Sequence, residues 1–247
     1  DYASGLTHSL RRGARWVTSN PCKIQLFKKD FPDYYQELIA EIKRENAGAT
    51  PAVMAAQMFT KVCAISARAL YLIFKATNKQ YGFVCMQVDS RDIKDTDAMI
   101  KQVEFWYDAM KKELGVEEPN VVFKLPAVEA ALEAARILLE KNYKLCMTMN
   151  ITVTQHLRFA EILSKGKKNG YLVLMGDQLD DQIAKELEAK GVENAKDIAK
   201  HGAEAVIRKS YRLLAEKGYK NLSIMTAAVR GPWHIQNSFA PVGGAPV

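Results

Sequence analysis

Apolar and polar positions along the chain follow two rhythms. Short runs of near-alternating character recur, and each gives way to a longer stretch with a period close to that of a helix. The runs ARWVTSN (14–20), GFVCMQVD (82–89), NVVFKLPA (120–127), KLCMTMN (144–150), GYLVLMGD (170–177) and NLSIMTAA (221–228) predict strands. Helices are expected over about 31–45, 50–77 and 95–114, from 128 to about 141, up to about 164, up to about 217, and from PWHIQNSF onward. The helix after the third strand shows the pattern plainly. Val128, Ala131, Leu132, Ala135, Leu138 and Leu139 share one face, with Glu129, Glu133, Arg136 and Glu140 opposite.

A strand followed each time by helix implies a parallel sheet with helices outside it. No Gly-x-Gly-x-x-Gly and no Walker-type loop is present, so weight shifts from a nucleotide-binding doubly wound sheet to a (β/α)8 TIM-type barrel. Six strands are visible where a barrel has eight. The missing two are expected just upstream of Asp1 and just after Val247, which leaves the first and eighth units incomplete. No linker, repeat or low-complexity segment divides the chain, so one domain spanning 1–247 is expected.

Side chains alternate along a strand, and in a barrel one parity turns inward. If the apolar parity faces the helices, Val121, Phe123 and Leu125 point outward and Val122 and Lys124 inward. Val84, Met86 and Val88 point outward; Cys85, Gln87 and Asp89 inward. Leu145, Met147 and Met149 point outward; Cys146, Thr148 and Asn150 inward. Val17 points outward; Trp16, Thr18 and Asn20 inward. Polar groups from neighbouring strands would thus gather on the inner surface toward the C-terminal ends, where barrels of this kind carry their chemistry. Lys124 is the unusual member. An ammonium withdrawn from water is costly, and a neutral lysine amine is a nucleophile toward carbonyl carbon. From the strand alone, pairing with a buried carboxylate or reaching out to solvent is the commoner fate of such a lysine.

Composition changes this picture little. Hydrophobic residues make up 48% and charged residues 26% of 247, an ordinary balance, with a net charge of 35 − 28 = +7. The basic residues are dispersed; the one tight group, SKGKKNG (164–170), reads as a solvated loop. Nucleic acid is not expected as a partner, because the basic residues form no extended patch, and a membrane is not, because no run approaches the roughly 18 apolar residues of a span. No signal-peptide pattern opens the chain. Cys22, Cys63, Cys85 and Cys146 fit no zinc or redox spacing and read as reduced thiols of a cytoplasmic protein. His8, His156, His201 and His234 are scattered, so no metal site is expected.

Several stretches, taken together and in order, resemble the transaldolase family, the class I aldolases that include transaldolase and fructose-6-phosphate aldolase. WVTSNP (16–21) resembles the Thr-x-Asn-Pro signature of the second strand. QVDSRDIKD (87–95) is similar to the third-strand Glu-Val-Asp-x-Arg motif. FKLPA (123–127) resembles the segment that bears the Schiff-base lysine. AARILLEKNYKLCMT (134–148) resembles the following helix and strand, and AAVR (227–230) the Ala-Ser-Phe-Arg motif. The resemblance implies an imine on Lys124. It implies a general acid/base at Asp1, and substrate contacts from Thr18, Asn20 and Cys146. Thr148 and Gln87 would hold the catalytic water, and Arg230 would meet the substrate phosphate. No cofactor is implied. The partner would be a small carbonyl compound or a sugar, phosphorylated or not, with a homo-oligomer left open.

The departures from the family pattern are specific. Gln87 stands where transaldolases carry a glutamate, as it does in the fructose-6-phosphate aldolase branch. Cys146 replaces an asparagine and Ala228 a serine. The segment LMGDQLDD (174–181) lacks the second phosphate arginine and supplies Asp177, Asp180 and Asp181 instead. A weak or relocated phosphate site is therefore expected. Three readings remain at this stage: an aldolase or transaldolase, a Schiff-base enzyme on a non-phosphorylated substrate, and a non-catalytic sugar-binding or structural barrel.

Overall fold

The computed structural model describes residues 3–239. By internal packing the chain divides into two compact units, 1–89 with 97–123, and 90–96 with 124–247. The strands follow chain order in the sheet, β1-β2-β3-β4-β5-β6, and β3 contributes its first half to one unit and its second half to the other.

In the first unit, α1 (Ala3–Arg11) precedes β1 (Trp16–Thr18), a 3-10 turn (Pro21–Lys23), α2 (Ile24–Asp30), α3 (Pro32–Glu45), α4 (Pro51–Ala76), β2 (Phe83–Gln87), α5 (Thr96–Leu114) and the start of β3 (Val121–Pro126). Helix α4 begins where a helix should. Thr50 Oγ1 accepts from the Val53 N–H, and Pro51 occupies the first turn, where a missing N–H costs nothing. Gly82 makes the turn into β2 at φ +83, and a Cβ there would lie 2.4 Å from the Phe74 nitrogen, so no side chain fits. Phe27, Leu38, Ile42, Met58 and Val62 join α2, α3 and α4 in one apolar cluster. At the opposite end of α4, buried Asn120 donates to the carbonyls of Ala67 and Gly82, tying the helix and the entry to β2 to the entry to β3.

Lys61, buried on α4, reaches Glu41 (2.8 Å), Glu113 (3.3 Å) and Glu45 (3.4 Å), and so pins α3 and α5 to α4. Burial opposes its charge, but the hydrogen bond to Glu41 and the field of Glu113 outweigh that and raise its pKa above the usual lysine range.

In the second unit, the rest of β3 leads to α6 (Glu129–Glu140), β4 (Leu145–Asn150), α7 (Val153–Leu163), β5 (Gly170–Met175), α8 (Gly176–Ala189), α9 (Ala195–Ala199), α10 (Gly202–Glu216), β6 (Leu222–Ala227) and α11 (Pro232–Phe239). Strands β5 and β6 are parallel and in register from Gly170↔Leu222 to Met175↔Ala227. Helix α7 opens with a capping box in which Thr152 and Gln155 satisfy each other's backbone N–H groups. On α6, Ala131, Ala134, Ala135 and Leu138 are buried, as the periodicity predicts.

The strands and most helices thus fall where the two rhythms put them, with corrections. Helices α1 and α2 have no counterpart in the sequence reading. Strand β1 is only Trp16–Thr18, so Ser19 and Asn20 lie past its end. Strand β5 stops at Met175, and Gly176 and Asp177 already belong to α8. Met149 was expected to pack toward the helices. It is instead 56% exposed with φ +64, at a register break between Met147 and Asn150. A bulge inserts one extra residue and ends the alternation at Thr148. Among the described residues no helix is long and apolar enough to cross a membrane.

Candidate active site

In the first unit, Val17 and Val84 border a small space with Phe59, Val62, Cys63 and Ser66 of α4, and Asn20, expected on the inner face, lines the same space. By alternation Thr18 and Gln87 share the face opposite Val17 and Val84: Thr18 is in register with Cys85, and Gln87 lies two residues further along the same strand. Both are partly exposed. Asn20, just beyond β1, uses its Oδ1 to accept from the Cys22 N–H (3.0 Å) and cap the turn after the strand. Its amide NH2 is the end chemically able to serve as a donor to a ligand. Cys63 and Cys85 are buried, and burial pushes the Cys63 thiol up to about 12, which makes it an inert filler. All four cysteines are free.

The Phe123 ring on β3 meets Tyr107 of α5 at 6.4 Å between centroids, so Phe123 is on the helix side. Lys124, the next residue, takes the other side by alternation. Phe123 and Leu125 are buried at 1% and 0% exposure, whereas Lys124 keeps partial access to solvent.

In the second unit, the end of β3 is bonded to β4 through the Ala127 N–H and the Thr148 carbonyl (2.7 Å). Cys146 and Thr148 share one face of β4; Cys146 is fully buried and Thr148 is 6% exposed. Beyond the bulge, Asn150 donates to the carbonyls of Met147 and Val173. The bulge therefore makes Asn150 a clamp on two backbones.

Arg230, in the segment after β6, is engaged by the first turns of α8. Its Nη1 and Nη2 donate to the two oxygens of Asp181, and Nη2 also donates to Asp177 Oδ2 (3.3 Å). The hydrogen bonds from Arg230 hold the Asp181 carboxyl below the usual carboxylate range, and the same contacts raise the guanidinium above its own. The acidic residues of 177–181 were expected to repel an anion. In the structure two of them bind the arginine itself.

The third carboxylate, Asp180, turns to His234, which by sequence has no role beyond being one of four scattered histidines. His234 Nε2 lies 2.7 Å from Asp180 Oδ2, and His234 Nδ1 accepts the Arg230 backbone N–H at 3.0 Å. A ring nitrogen that accepts carries no proton, so the imidazole proton sits on Nε2 and is donated to Asp180. The signal available in the sequence was a histidine four residues after Arg230, within reach of its turn. Lys165 and Lys167 lie exposed before β5 begins. Asp1 is outside the described residues.

Parallel strands each followed by a helix define an α/β protein. A model of the Transaldolase/Fructose-6-phosphate aldolase family matches residues 7–243, and the chain belongs to that family. Proteins named transaldolase from two strains of Mycobacterium leprae are each 30% identical to it over 143 residues, 57% of this chain and 35% of theirs. A transaldolase of Neisseria gonorrhoeae is 24% identical over 168 residues, 65% of this chain and 43% of that one. The matched stretch thus covers less than half of each of these relatives. The chain is a divergent member of the family.

Proposed function

We propose that the chain is a class I aldolase or transaldolase that forms an imine between Lys124 and a ketose or small hydroxy-ketone. The observation that carries this reading is Lys124 itself, partly accessible between buried Phe123 and Leu125, in a chain that matches the family over 7–243. In this reading 1–247 is one barrel-type domain of the (β/α)8 kind.

The chemistry follows from the amine. Lys124 Nζ attacks the carbonyl carbon, and loss of water gives a protonated imine. A base removes the proton of the hydroxyl on the carbon to be cleaved. The carbon–carbon bond next to the former carbonyl breaks, an aldehyde leaves, and the electron pair moves into the imine as an enamine. The enamine then attacks an acceptor aldehyde, which is transfer, or takes up a proton, which completes cleavage. Water hydrolyses the imine and restores the lysine. The protonated imine supplies the electron sink.

Asp1 is the proposed acid/base. Gln87 and Thr148 position the water, glutamine by hydrogen bonding only, since it is not a base at neutral pH. Thr18 and the Asn20 amide line the substrate, Cys146, fully buried, packs beneath it, and Arg230 marks its distal end. The test is borohydride reduction in the presence of dihydroxyacetone, fructose and their phosphates, followed by mass mapping. A reduced adduct on Lys124, lost in Lys124→Met, is the expected result. Turnover that persists in Lys124→Met, with no adduct on Lys124, would overturn the proposal.

A further inference from the structure

An arginine beside the first turn of a helix is a ready-made anion site, because the guanidinium fork and the helix N-terminus both favour negative charge. Arg230 and the start of α8 form such a pair, and the chain's own carboxylates fill it. A guanidinium offers two forks for bidentate acceptors, one from Nη1 and Nη2 and one from Nε and Nη2. Asp181 occupies the first. Asp177 takes an Nη2 hydrogen as well, which closes the second. The arginine is also held in place from behind. His234 accepts its backbone N–H, Asp180 accepts from His234, and Asp180 Oδ1 accepts from the Ala203 N–H at 3.3 Å. Asp177 Oδ1 is buried and has no hydrogen-bond partner among the described residues, so its negative charge is uncompensated beside the guanidinium and disfavours a second anion there.

We infer that Asp177 and Asp181 are specificity-determining residues that close the Arg230 end of the site to phosphate, so that the chain acts on a non-phosphorylated hydroxy-carbonyl compound. The inference rests on the proposed placement of Arg230 at the distal end of the substrate. The arginine is 48% and Asp181 49% exposed, so their ion pair adds little to stability. Its effect is on selection, since an incoming dianion must displace Asp181 and then lie against two carboxylates.

The test has a binding arm that needs no turnover. Inorganic phosphate is titrated by calorimetry into the native chain, Arg230→Ala, Asp177→Asn/Asp181→Asn, and the triple variant. The native chain and Arg230→Ala are expected to respond alike, without saturable binding. The double variant is expected to bind phosphate at least about tenfold more tightly, with the gain lost in the triple variant. Saturable binding by the native chain that Arg230→Ala abolishes would overturn the inference, as would a double variant that gains nothing. If the double variant does not fold, Asp181→Asn alone and the native against Arg230→Ala comparison still decide. A second arm compares borohydride trapping by fructose and fructose 6-phosphate. Failure to trap either one refutes the Lys124 chemistry and leaves the phosphate result standing. Preferential trapping of the phosphate ester by the native chain refutes the specificity inference alone.

Discussion

His234 Nε2 donates to Asp180 Oδ2 across 2.7 Å, and the two side chains keep only 1% and 12% of their exposure. The pair joins α8 to α11. Through the Arg230 and Ala203 backbone N–H groups it also holds the turn after β6 and the start of α10.

Asp180→Ala strands the His234 Nε2–H and the Ala203 N–H without acceptors in a dry setting. The expected loss is about 2–3 kcal/mol of stability, measured as a lower urea midpoint at constant slope. Asp180→Asn keeps one acceptor oxygen and should lose less. Equal midpoints for the native chain and Asp180→Ala would show the pair to be dispensable.

His156 of α7 is fully buried, with Nδ1 2.9 Å from the Ser210 hydroxyl of α10, and burial lowers its pKa from 6.5 to about 4. The unfolded chain therefore binds this proton more readily than the folded one. The neutral ring's contribution is fully present above about pH 6.5 and is lost as pH falls toward 4. By linkage the window is worth on the order of 3 kcal/mol. His156→Asn should be less stable at neutral pH and show a flatter decline over that window in urea midpoints taken at several pH values. A decline as steep as that of the native chain would assign the acid sensitivity elsewhere.

Lys61 is 4% exposed, while its partners Glu41, Glu45 and Glu113 are 38%, 45% and 22% exposed. Solvent screens the carboxylates, so the ion pairs alone are worth little, but the aliphatic stem fills space between α3, α4 and α5. Lys61→Ala should cost about 2 kcal/mol or more through the cavity and the unpaired carboxylates. Lys61→Met keeps the volume and should cost clearly less. Thermal unfolding of both variants checks the order.

Gln87 holds water without acting as a base in the proposed mechanism. Gln87→Glu supplies a base on the same stem and should change the ratio of aldol cleavage to transfer by on the order of tenfold, read from product analysis with a fixed acceptor aldehyde. An unchanged ratio in an active variant would remove Gln87 from the water site.

The placement of strands and helices was legible because it depends on local periodicity. Val121, Phe123 and Leu125 bury one side of β3 whatever surrounds them, and the alternation sets Lys124 apart. Helices α1 and α2 escaped notice because ASGLTHSLR and IQLFKKD are short and mostly polar, with few apolar positions from which to read a period. The Met149 bulge escaped because an inserted residue leaves the apolar pattern of LCMTMN intact while breaking its pairing. Motif resemblance singled out Arg230 and the acidic run at 177–181, but only as a repulsive neighbourhood. That Asp181 grips the guanidinium, and that Asp180 reaches His234 instead, depends on residues 49 and 54 positions apart meeting in space. Local sequence carries the period of each element. Which charges meet at the element ends is decided by how β5, α8, β6 and α11 pack, because no local rule links side chains so distant along the chain.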